Sequence, residues 1–258
     1  MKENYFNTVV KKILKEKWKI IWPEKIKKIV QNILAENYSE QKNYKVVYYL
    51  KARWYLLSLK KDLYFIKEKD DNITNSDLTD KYYWTILKKH CEMYLGKARY
   101  IWGLKALELN MSNYSIPETI DIINPVKQAK ETVLKWKEVV FKKYSMKNGD
   151  LFKKLKKFIQ KVKIWNTSFL VSNLELSILE SLYNPDILSE KYINELVKKI
   201  IRKNKKSLDI QSIVNIIMLG KHHSSINRFH QLAKSIDSDC ADKIWEIIKK
   251  HSFFVDIK

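Results

Sequence analysis

KNYKVVYYLKARWYLLSLKKDLYFI, residues 42–66, carries two hydrophobic periods back to back. Val46, Val47 and Leu50 fall at helical spacing and predict a helix ending near Arg53. Beyond it, Leu57, Leu59, Leu63 and Phe65 alternate around Lys60, Lys61 and Asp62, the pattern of a hairpin with a charged tip. Working outward, Phe6, Val9, Val10, Ile13 and Leu14 predict a first helix. Pro23 suits the first turn of a second, whose apolar stripe is Ile26, Ile29, Val30, Ile33 and Leu34. Ser39 is the expected N-cap of the third. Three helices and then a hairpin is the layout of a winged helix-turn-helix. Its third helix enters a major groove while its hairpin touches neighbouring phosphate.

On that layout the residues expected to meet DNA are Lys42, Asn43, Lys45, Tyr49 and Lys51 on the third helix, and Lys60 and Lys61 on the wing. Lys42, Lys45 and Tyr49 are three and four apart and share a face away from Val46 and Leu50. Lysine and tyrosine suit phosphate, and an asparagine can read adenine. With roughly four to six phosphates neutralised, affinity should fall steeply with salt. Trp54, Tyr55, Tyr64 and Phe65 are of a type that stacks on bases but more often fills a small core.

Composition agrees with an anionic partner. Lys and Arg number 50 against 29 Asp and Glu in 258 residues, a net charge of +21. The many Lys, Asn and Ile residues also suit an AT-rich genome, which accounts for part of that excess. Hydrophobic residues at 45% are enough for packed cores rather than wholesale disorder. Two cysteines, Cys91 and Cys240, lack metal-ligand spacing and make no disulfide scaffold, so a cytoplasmic location is expected. The lysine-broken N-terminus does not read as a secretory signal, and no stretch reaches the length of a membrane span, so no membrane partner is expected.

The polar run KEKDDNITNSD, from residue 67, reads as a connection. The expected division is a winged domain over 1–70, a linker over 71–80 and a second domain over 81–258. In the second domain, helices are expected over 79–90 and from about Gly96 to Leu109. A short strand through Ile120, Ile122 and Ile123 closes at Asn124-Pro125. EVVFKKY (138–144) and KVKIWNTSFLV (161–171) are two further strands. Between them Asn148-Gly149 marks a turn before a lysine-rich helical stretch. From Leu174 the pattern is helical to the end, broken at Pro185, Ser207 and Gly220. The fold class expected is α+β, predominantly helical: a winged helix-turn-helix followed by a mixed α/β domain with a small sheet.

Catalysis has little to stand on. Four glycines form no phosphate-cradling loop, and H-E-x-x-H is absent. His222, His223 and His230, with Asp237 and Asp239 beyond, invite a metal reading. The seven-residue gap from His223 to His230, however, spans about 10 Å of helix, too far for one ion. No catalytic residue, metal or cofactor is expected. The alternative function is a basic nucleic-acid-processing enzyme, nuclease-like, with its site near His222–His230; another is a helical adaptor for an acidic protein. Lys153, Lys154, Lys156 and Lys157 form a second basic cluster, which reads equally as a solvated face.

Two later stretches, YIWGLKALELNMSNYSIPETIDII (100–123) and FLVSNLELSILESLYNP (169–185), carry a family likeness. Tyr100, Ala106, Leu107 and Pro117, then Val171, Ser172, Ile178, Leu179, Glu180 and Leu182, stand at matching intervals. The chain thereby resembles the AbiE-type (AbiEi) antitoxins, transcriptional regulators of type IV toxin–antitoxin systems associated with phage abortive infection. Asp62 stands where that family's wing has glycine, Asn110-Met111 where it has His-Gly, and Glu180 where it commonly has Asp. The resemblance implies an autorepressor that binds double-stranded DNA, at repeats in its own promoter. It also implies a second domain that counters a nucleotidyltransferase-like toxin, by contact or indirectly.

Overall fold

A computed structural model describes residues 3–16, 19–60, 63–68, 72–134, 137–143, 153–183, 185, 187–203, 208–219 and 222–253. Two compact units divide the chain, Met1–Met93 with Thr132–Lys137, and Tyr94–Glu131 with Glu138–Lys258.

In the first unit, α1 (Glu3–Leu14) buries Phe6, Val9, Val10 and Ile13 along one side, as their spacing dictates. A two-residue strand β1 (Ile20–Ile21) follows. Pro23 is the first residue of α2 (Pro23–Leu34), where its missing N–H costs nothing, and Ile26 and Val30 face inward. A short 3-10 turn, Ala35–Asn37, leads to Ser39, whose hydroxyl accepts from the Lys42 N–H and starts α3 (Glu40–Ala52). Strands β2 (Leu56–Lys60) and β3 (Leu63–Ile66) form the hairpin. β1 joins its other side, giving an antiparallel sheet of order β1-β3-β2.

All four residues of β3 are buried, so the in-and-out alternation expected of it is absent. The strand is covered on both faces. Tyr64 and Ile66 join the core of the three helices, while Phe65 meets Tyr82 edge to face at 4.8 Å. Tyr82 belongs to α4 (Asn75–Leu95), which begins inside the expected linker 71–80. Its start is a reciprocal cap: the Asp77 N–H donates to Thr74 Oγ1 at 3.2 Å, and the Thr74 N–H donates to the Asp77 carboxylate at 2.9 Å. The Thr74 hydroxyl, donating to the carboxylate at 2.6 Å, and then the Thr74 N–H hold Asp77 below the usual carboxylate range.

The second unit combines a helical layer with a six-stranded mixed sheet, of which residues 132–134 and Lys137 are grouped with the first unit. The strands are β4 (Tyr100–Ile101), β5 (Thr119–Asn124), β6 (Ala129–Leu134), β7 (Lys137–Lys143), β8 (Ile159–Ile164) and β9 (Thr167–Ser172). Their order is β6-β7-β5-β4-β9-β8. β4 runs parallel to β9 and antiparallel to β5, and β5 runs parallel to β7. The helices are α5 (Gly103–Asn110), α6 (Leu174–Ser181), α7 (Ile187–Lys203), α8 (Ile210–Ile217), α9 (His223–Lys234) and α10 (Ser238–His251). Leu176, Leu179, Val197, Ile213, Phe229 and Ile244 are among the residues of their shared core. The chain is thus of mixed α and β class.

Two expectations change here. The helix expected from Gly96 to Leu109 is a turn, then β4, then α5, because Gly96 and Gly103 both take positive φ, 66° and 64°. A Cβ at Gly103 would meet nothing within 4 Å, so it is the backbone conformation that calls for glycine. The strand expected over 161–171 is a hairpin, turned at Trp165 (φ 52°). Asn110 is helical, and the left-handed residue after it is Ser112 (φ 61°). The expected turn at Asn148-Gly149 and the breaks at Ser207 and Gly220 lie outside the described residues.

Candidate functional site

The capping bond at Ser39 and the burial of Val46 and Leu50 together fix which side of α3 turns outward. Lys42, Lys45, Tyr49 and Lys51 are all exposed, as expected. They do not form one front. The Lys42 ammonium donates back to the Asn37 carbonyl at 2.5 Å, and the Lys51 ammonium lies 4.6 Å over the Tyr64 ring. Tyr49 leans edge-on against Phe6 at 6.2 Å. Asn43 is half-buried, with its Oδ1 shielded from solvent, so it is not turned outward to read a base.

The outermost stripe consists of Gln41, Tyr44, Lys45, Tyr48 and Ala52, at steps of three and four. Tyr44 is 74% exposed and Tyr48 67%. Sequence reasoning passed over both tyrosines. Their signal was their position, about half a turn round the helix from Val46 and Leu50.

α3 ends with paired bonds, Trp54 N–H to Lys51 O at 3.0 Å and Tyr55 N–H to Leu50 O at 2.9 Å. This is the left-handed helix stop that usually takes glycine. Trp54 fills that position at φ 64°, and its ring is 62% exposed. A left-handed non-glycine residue costs about 1 kcal/mol. The Lys67 ammonium lies 5.6 Å over this indole, where α3 meets β2. Tyr64 and Phe65, in contrast, are core. The tip of the β2–β3 hairpin lies outside the described residues: the Lys60 side chain, Lys61 and Asp62.

In the second unit, the residues that carried the family likeness converge on one carboxyl. Glu180, on α6, accepts from the Tyr100 hydroxyl at 3.0 Å, the Gly103 N–H at 3.1 Å and the Ser172 hydroxyl at 2.7 Å. It thereby caps α5, whose own N-cap residue Trp102 provides no side-chain bond. Burial pushes the Glu180 carboxyl up to about 8, against these three donors and Lys142, which pull it down. Asn110 adds a parallel tie, donating to Ser172 O at 2.9 Å and Ser177 Oγ at 3.1 Å.

A cavity of about 540 Å³ lies beside Glu180, with Trp102, Lys105, Asp121 and Lys142 in its wall. Lys105 is buried, and its ammonium donates to Glu108, Asn113 O and Ser115 Oγ at 2.7, 3.3 and 3.3 Å. Desolvation holds its pKa below the ordinary lysine value despite the pairing with Glu108. Lys142 bonds Asp121 at 2.7 Å and lies 4.1 Å over Trp102. A carboxyl held near neutrality beside a cavity also marks acid–base sites. Here both of its oxygens are taken up by protein donors, and the lysines of the wall are matched with carboxylates. The arrangement ties β4, β9, α5 and α6 together.

The histidines pack on different aromatic rings: His222 edge-on to Tyr183 at 5.7 Å, His223 against Phe253 at 4.7 Å, and His230 stacked on Trp245 at 5.1 Å. Arg228 donates to Leu182 O at 3.0 Å. Among the described residues, no group of three or more His, Cys, Asp or Glu is placed to hold a metal ion. No described helix is long and apolar enough to cross a membrane. The described lysines of the 153–157 cluster are exposed.

No protein-family model matches the chain, and no curated protein matches it in sequence. Among solved structures, the crystal structure of the RV2827C protein from Mycobacterium tuberculosis is similar, with a TM-score of 0.58 and 10% identity. The likeness covers 96% of this chain and 81% of that one, and at such low identity it speaks for the fold alone.

Proposed function

We propose that this chain is a DNA-binding transcriptional autorepressor whose N-terminal unit is a winged helix-turn-helix with α3 as its recognition helix. The observation that carries the reading is the element order α1-β1-α2-α3-β2-β3. In it β1 closes the hairpin into a three-stranded sheet, while α3 keeps its outer stripe in solvent. A helix of that width with one unburied side fits a B-DNA major groove, and a basic hairpin beside it reaches the flanking phosphates. The +21 charge favours association with a polyanion.

Within this reading the second unit belongs to an antitoxin of the type IV, AbiE kind, acting in the cytoplasm against a nucleotidyltransferase-like toxin. What supports that assignment is the sequence resemblance. Its motif residues Tyr100 and Ser172 both donate to Glu180, so the three meet from three elements. The test is a reporter driven by the DNA upstream of the protein's own coding sequence. Expression of the whole chain should silence it, and Lys45→Ala with Tyr48→Ala should restore it at an equal protein level. Unchanged repression by that variant would remove α3 from the account.

A further inference from the structure

We propose that α3 selects A·T base pairs, so that the duplex sites this protein prefers are A·T-rich where Gln41, Tyr44, Lys45 and Tyr48 meet the major groove. The proposal rests on the DNA-binding reading above and names the kind of site it takes. Each base pair offers a distinct edge in that groove, and each edge has matching side chains. Adenine is read through N6 and N7 by a side-chain amide, and Gln41 is the exposed amide at the start of α3. The thymine methyl is read by apolar surface, and the exposed rings of Tyr44 and Tyr48 and the methyl of Ala52 offer it.

The arginine and carboxylate readers of guanine and cytosine are engaged elsewhere. Guanine is taken most often by arginine. The nearest arginine is Arg53, whose guanidinium is engaged by two rings, 4.8 Å over Phe6 and 5.9 Å from the Tyr49 ring centre. Cytosine N4 needs a carboxylate, and Glu40, the acidic residue of α3, is ion-paired with Lys27. Lys42 and Lys51 are drawn to Asn37 and Tyr64. Lys45 alone on the stripe carries a charge, and a lysine there suits phosphate as well as guanine. Asn43, the adenine reader expected from sequence, is turned inward, and Gln41 takes that role.

The experiment is selection from a pool of random duplexes by the full-length protein, with sequencing of the retained DNA. The expected result is enrichment of A·T pairs over a block of about four positions, a major-groove contact length for one helix. Replacing one such pair by G·C should weaken binding roughly five- to a hundredfold. Gln41→Ala with Tyr44→Ala, both at exposed positions, should flatten the enrichment while duplex is still retained. Retained DNA of random or G·C-rich composition would overturn the selection and leave DNA binding standing. Enrichment that survives in the double variant would also overturn it. Failure to retain any duplex would overturn the selection together with the regulator reading.

Discussion

Replacing Glu180 by Gln tests the buried junction that organises the second unit. Gln keeps the shape of a neutral glutamic acid. Its oxygen can accept from the Gly103 N–H and the Ser172 hydroxyl, and its amide can donate to the Tyr100 oxygen. Burial raises the folded-state pKa from 4.5 to about 8. Between those values the folded chain keeps a proton that the unfolded chain has lost, so unfolding releases it and stability falls as pH rises. The contribution is complete below about pH 4.5 and is lost as pH climbs through about 8. At 1.36 kcal/mol per pH unit, the wild type should lose about 3 kcal/mol relative to Glu180→Gln between roughly pH 5 and 7.5. Urea unfolding of both proteins across that range gives the comparison, because titrations common to both cancel in the difference. The two should be nearly equal at the acid end, with the variant ahead at the alkaline end. Parallel curves would refute the reasoning, and a wild type that gains on the variant with rising pH would mean the donors outweigh burial.

Other consequences are independent of that junction. Ser39→Ala removes the cap of α3 and should cost about 1 kcal/mol in urea unfolding of the first unit. Leu50→Ala, at a fully buried position, should cost about 2–5 kcal/mol by the same measurement. Trp54→Gly relieves a left-handed residue and should raise stability by about 0.5–1 kcal/mol while weakening duplex binding in a gel-shift titration. His223→Ala with His230→Ala should leave duplex affinity unchanged, whereas a nucleic-acid-processing site there would lose its activity.

Much of the first unit was legible because its signals are local. The apolar spacing of α1, the proline opening α2 and the serine before α3 each act within a turn or two of chain. β1 was not legible, since Ile20 and Ile21 are too few to show a period and become a strand only by pairing with Tyr64 and Phe65. The alternation assigned to the hairpin failed at β3 because α4 covers its second face, a tertiary fact. The linker reading gave way to a signal that was present: Thr74 and Asp77 stand at capping-box spacing. The β8–β9 turn was hidden because its left-handed residue is Trp165, a bulky type that seldom takes that position, and a single Asn166 beside it is a weak signal. On α3 the sequence supplied the buried side correctly. Choosing lysines by charge, though, missed the tyrosines that stand furthest out.

The central claim is that α3 meets duplex DNA with its outer stripe. The most direct measurement is fluorescence anisotropy of a labelled promoter duplex titrated with the full-length protein at a series of salt concentrations. With about four to six phosphates engaged, the affinity should fall roughly 10²–10³-fold from 50 to 200 mM salt. Lys45→Ala should reduce the slope of log affinity against log salt by about one. Tyr44→Ala with Tyr48→Ala should lower affinity with the slope unchanged. Affinity that is flat with salt, or indifferent to all three residues, would contradict the account.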